Sequence, residues 1–195
     1  MKLTRYIVVV MSSIGALFME SCNSSFLDLS DPTAKDSENF YQNHQQIEQA
    51  VNGVYSQLQS ITNSQYNFAE MTSDNTTIQL NPSDRGQVDR AEAFEFWNVT
   101  ATNVNIAAYY NESYQTLYNI NTILAKIAEA EVAEDQKNQY VVELLFLRAY
   151  HYFLLVQYFG DVILLTEPLL DASEAYSLKR TAVEKVYEQI EADLQ

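Results

Sequence analysis

A chain of 195 residues, 47% of them hydrophobic, is long enough to bury a core of ordinary size and too apolar to stay disordered as a whole. Its formal charge of −15 repels phosphate backbones and argues against nucleic acid as a partner. Only four glycines and three prolines interrupt the apolar periodic stretches, so the composition points to an all-α fold.

The chain begins with Lys2 and Arg5, an apolar run Tyr6–Phe18, and then Met19-Glu20-Ser21-Cys22, the layout of a bacterial signal peptide. Cys22 is the only cysteine and cannot close an intramolecular disulfide. A small residue before a cysteine at the end of such a run is a lipobox pattern, in which the thiol is acylated and becomes the new N-terminus. An ordinary secretory leader followed by a free thiol remains the alternative. The apolar run is short for a membrane span, whereas two or three acyl chains would hold the protein at a bilayer. The expected organisation is a leader over 1–21, a polar tether over 22–36 and a helical domain over 37–195.

The first helix is expected over 44–61, with Asn43 as N-cap, Gln46 three residues on, and Ile47, Val51, Val54, Tyr55, Leu58 and Ile61 repeating at three and four. Gly53, inside it, marks a possible close backbone approach. Periodicity then lapses over 62–102, a stretch too long for a simple connector. It holds Asp74, Asn75, Arg85, Trp97 and Asn98, groups that can stack on a sugar ring or hydrogen-bond its hydroxyls. Trp97, the only tryptophan, could equally plug this loop onto the core, beside Phe94, Phe96 and Val99.

A second helix over 103–128 carries Tyr110, Tyr114, Leu117, Tyr118, Asn121, Leu124 and Ala128 on one face. Asn121 on that face is expected to bond a neighbouring carbonyl. The third helix, 136–159, is apolar nearly all round and should be central, ending at Gly160, where a glycine can take positive φ. Arg148 lies on its apolar stripe and calls for a carboxylate or several carbonyls. A short extended piece, 162–165, precedes Pro168. A last helix over 181–195 is expected from a Thr181/Glu184 capping box and the stripe Val183, Val186, Tyr187, Ile190 and Leu194. The pairs 44–61/103–128 and 136–159/181–195 would form two antiparallel hairpins.

The run Phe146-Leu-Arg-Ala-Tyr-His-Tyr-Phe, followed by Tyr158-Phe-Gly-Asp-Val and Thr166-Glu-Pro-Leu, resembles the signature of the SusD/RagB family. Cys22, Phe26, Leu27, Asp28 and Pro32 resemble the start of its mature members, Glu-Met-Thr-Ser-Asp-Asn at 70–75 its Ser-Asp-Asn/Glu element, and Tyr114 to Asn121 its Tyr-x-x-Ile-xx-Asn pattern. Ile163 stands where the family usually has proline. The resemblance implies tetratricopeptide-like helix hairpins and a lipoprotein of the outer membrane that captures glycans or other nutrients for a TonB-dependent transporter. It also implies a chain equivalent to the front part of a longer protein, with the last helix face lacking its packing partners. Ligand contacts would fall in the region of Asp74, Asn75, Arg85, Trp97 and Asn98, while Arg148 and Asn121 would be structural.

Nothing selects a catalyst. The two histidines, His44 and His151, are far apart in sequence and no Cys/His cluster offers a zinc site. No phosphate loop or nucleophile elbow appears, so neither metal nor cofactor is expected. A helical protein-interaction module without glycan contact is the competing reading, and a hydrolase built on an unmarked carboxylate pair the third.

Overall fold

The computed structural model describes residues 40–78, 83, 88–169, 171 and 173–195, all within the second of the two compact units of the chain, Phe40–Gln195. The leader, Cys22, the tether and Arg85 lie outside the described residues. Four helices make up the body: α1 His44–Ala69, α2 Val104–Lys126, α3 Glu134–Phe159 and α4 Val183–Asp193. Among the described residues the only β pairing is two isolated bridges, and no helix is long and apolar enough to cross a membrane.

α1 starts where its cap dictates. Asn43 is extended and its Oδ1 accepts the N–H of Gln46 at 3.1 Å, while Gln46 Oε1 accepts the N–H of Gln42 at 2.8 Å, a reciprocal cap displaced by one residue. The helix overruns its expected end by two turns. Polar Thr62, Asn63 and Ser64 break the apolar stripe, but Thr62 returns its hydroxyl to Leu58 O, and Phe68 restores the stripe seven residues after Ile61. Gly53 lies on the exposed face, and a Cβ there would meet nothing within 4 Å, so no backbone approaches it.

Asn103 caps α2, its Oδ1 accepting the N–H groups of Asn105 and Ile106. Glu134 and Asp135 in the first turn of α3 complement its dipole, and Gly160 ends it at φ +66°, ψ −123°. The φ has the expected sign, but the ψ lies outside the left-handed helical basin. The Thr181/Glu184 capping box does not form. The backbone of Thr181 is bridged to Val162, and Asp161 Oδ1 instead accepts the N–H of Val183, the first residue of α4.

Successive helices run antiparallel. Gln57 bonds Asn119 and Ser60 bonds Glu112 between α1 and α2. Tyr109 meets Tyr158 at one end of the α2–α3 pair and Lys137 reaches Ala128 O at the other. Arg148–Asp193 and Phe153–Tyr187 join α3 to α4.

α3 contributes to all three apolar clusters: Leu144 and Leu147 with Ile47, Val51, Val54, Ile120 and Ile123; Ala149, Tyr152, Leu155 and Val156 with Leu117, Val162, Val186 and Ile190; and Leu154 with Ile61 and Tyr109. It is central without being enclosed. Val142, Phe146 and Phe153 stay exposed along one stripe, so the helix is buried on several sides and open on one. Leu194 is also exposed, and Asp193 takes the buried place beside it.

Candidate functional site

Two clusters of polar and aromatic groups stand out, at different levels of the helices. The first is built on Arg148, only 7% exposed. Its Nε and one terminal nitrogen donate to the two carboxylate oxygens of Asp193 at 2.7 and 2.6 Å. The other terminal nitrogen donates to Asn121 Oδ1 and Thr166 O, both at 3.0 Å. Asn121 Nδ2 then reaches Leu165 O at 2.9 Å. Tyr152 OH donates to Leu165 O and accepts the N–H of Leu165, and Tyr114 OH donates to Ile163 O at 2.7 Å.

The extended segment after Gly160, which has no strand partner beyond the Val162–Thr181 bridge, thus has its carbonyls satisfied by α2 and α3 side chains. Burial pushes the Tyr152 hydroxyl up to about 12 and raises that of Tyr114 as well, so both stay protonated donors. An open cleft of about 440 Å³ lies beside this segment, lined by Asn121, Leu124, Ala125, Thr166, Glu167 and Pro168. The Asn121 amide is already bonded at both ends and offers the cleft no free group. The whole arrangement is saturated and suits holding the fold, not gripping a ligand.

The second cluster sits where α1 ends and α2 begins. A π-turn, Val88–Glu92, runs into one α-helical turn, Ala93–Glu95. That turn closes with Trp97 N–H on Phe94 O and Asn98 N–H on Ala93 O, the two bonds of a Schellman motif. Trp97 occupies the position usually given to glycine, at φ +56°, a backbone that costs a residue with a Cβ about 1–2 kcal/mol. Phe94 goes inward and packs on Phe68, which also meets Tyr109 and Tyr158 with ring centroids 4.7–5.2 Å apart. Trp97 points outward instead, 78% exposed, beside Phe96 at 56%. Phe94, not the tryptophan, plugs the loop onto the core.

Asp74 and Asn75 are exposed on the turn that follows α1, and Asn98 is exposed next to Trp97. The turn is self-bonded: Ser73 Oγ and Thr76 Oγ1 both donate to Glu70 O, and Ser73 Oγ accepts the N–H of Asn75. Glu95 joins the two turns, one carboxylate oxygen accepting from Thr77 Oγ1 and the other from the N–H of Ile78. Those bonds hold its carboxyl below the usual carboxylate range. Sequence reasoning missed both Glu95 and Asp193. Each is one acid among 26, and neither stands in a motif. Among the described residues no group of three or more His, Cys, Asp and Glu side chains could hold a metal ion.

The family described as starch-binding associating with outer membrane matches residues 25–195, and the chain belongs to this SusD-like family, one of binding proteins and not of enzymes. Two SusD-like proteins of Formosa agariphila, P25 and P2, are 29% and 25% identical over 81% of this chain. The chain spans 31% of the length of each. The solved structure of a laminarin-binding SusD-like protein superposes with a TM-score of 0.68 at 27% identity, over 78% of this chain and 33% of that one. The all-α fold is that of the family, and the family is associated with the outer membrane.

Proposed function

We propose that this chain captures glycans at the outer membrane, with Trp97 as the platform on which a sugar ring stacks its C–H face. The observation that carries the reading is a lone tryptophan held 78% exposed at a positive φ, on a turn whose Phe94 packs inward on Phe68. An exposed aromatic in a strained backbone is costly in two ways, and such costs concentrate at binding sites. Asp74, Asn75 and Asn98 supply hydroxyl partners from the two adjoining turns, and Arg85 is assigned the same role from its place between them in sequence. Cys22 anchors the protein by acylation, which the leader pattern supports, and a TonB-dependent transporter receives the nutrient. Arg148 and Asn121 are structural.

The test is retention of the chain in native gels containing laminarin or soluble starch. Trp97→Ala should abolish the retardation while leaving the melting curve unchanged; equal retention of parent and variant would defeat the platform. For the anchor, a palmitate label incorporated by the parent and lost in Cys22→Ser is the expected result. A second reading, a helical protein-interaction module, is favoured by the exposed stripe Val142, Phe146 and Phe153 on α3. Failure of the parent to bind any glycan would prefer it.

A further inference from the structure

The Asp74–Asn75 turn and the Trp97 turn are each stiffened from within, the first by hydroxyl bonds to Glu70 O and the second by its Schellman pair. Two internally rigid turns can still move against each other. The Glu95 side chain bonds across, and it does so with both carboxylate oxygens. One of its partners is a main-chain N–H, that of Ile78 at 2.8 Å, so the carboxylate fixes backbone and not merely a rotatable side chain. Glu95 itself belongs to the helical turn that presents Trp97 two residues on.

We propose that Glu95 is a positioning residue, registering the Asp74–Asn75 turn against Trp97 so that hydroxyl partners and stacking platform meet one sugar together. The inference rests on reading Trp97 as the glycan platform. A bonded carboxylate at this place costs little when the ligand arrives, because the geometry is set beforehand. Without it each turn would keep its own shape and the spacing between them would fluctuate. The amide of a glutamine can replace the latch, since it still accepts from Ile78 N–H while the Thr77 hydroxyl rotates to accept from the amide nitrogen.

Trp97 is the only tryptophan in the chain, so its emission reads this turn directly without any ligand. The experiment measures time-resolved fluorescence anisotropy and laminarin affinity on the full chain for the parent, Glu95→Ala, Glu95→Gln, Thr77→Val and Trp97→Ala. In Glu95→Ala the amplitude of nanosecond wobble of Trp97 should rise about twofold. Laminarin binding should weaken about tenfold, with circular dichroism and melting unchanged. Thr77→Val, which keeps the Ile78 bond, should fall between, and Glu95→Gln should stay near the parent. Unchanged wobble in Glu95→Ala overturns the latch. Increased wobble with parent-like affinity, where Trp97→Ala loses binding, overturns the positioning role. Parent-like affinity in Trp97→Ala defeats the platform, and the positioning role with it, while the anisotropy still decides whether the carboxylate holds the turns together.

Discussion

The Arg148 knot and the Trp97 turn solve opposite problems with different groups. At the knot, a buried guanidinium has a bidentate carboxylate, an amide and a carbonyl, and every partner is itself bonded or backbone. At the turn, the aromatic side chain faces solvent and the strain stays in the backbone. Hydrogen-bond saturation gives one unique packing and leaves nothing over for a ligand. Exposure leaves affinity over and costs stability.

That contrast breaks most visibly at Asp193. Asp193→Ala would leave Arg148 buried without a counter-charge and should cost about 3–5 kcal/mol in denaturant unfolding. The pair Arg148→Met with Asp193→Leu, which removes both charges, should cost much less. Trp97→Gly stands at the other extreme, since glycine takes the same φ without a Cβ clash. It should raise stability by about 1 kcal/mol while abolishing glycan retention, whereas substitution at the knot should never gain stability by truncation to glycine.

A sharper test lies between the two regions. His151 is 1% exposed and neither ring nitrogen has a hydrogen-bond partner among the described residues; burial pulls its pKa from 6.5 down to about 4. The unfolded chain therefore binds the proton first. The contribution is fully present above the unfolded pKa of 6.5 and is lost as pH falls toward about 4, by about 3 kcal/mol over that window. His151→Leu should remove this part of the acid sensitivity and leave stability at pH 7 equal or higher; an identical pH profile in parent and variant would refute the assignment. Of the smallest size is Gly53→Ala, on the open face of α1, expected to stabilise by about 0.5–1 kcal/mol in thermal melts.

Much of α3 was readable from residue order. An apolar stripe with an arginine on it demands burial and a partner, and a glycine after Phe159 demands a stop. The same reading could not say which stripe would stay open, because periodicity marks which faces are apolar and not how many neighbours arrive to cover them. It also stopped α1 at Ile61, because a polar turn looks like an end when the next apolar residue on the stripe, Phe68, is one turn farther than the pattern allows. At the candidate site the residue types were visible, and their use was not: of Phe94, Phe96 and Val99 around Trp97, nothing local said that Phe94 would go inward.

The sequence by itself determined that four long helices form and about where each begins, that they pair antiparallel, and that Arg148 and Asn121 need partners, because these follow from spacing, turn chemistry and the cost of burying polar groups. Only the tertiary structure decided that Asp193 answers Arg148 and that Glu95 joins Thr77 and Ile78. These contacts bridge 45 and 18 residues of chain, and the choice among 26 acids is made by which helix face comes to rest against which, a property of packing that no single segment carries.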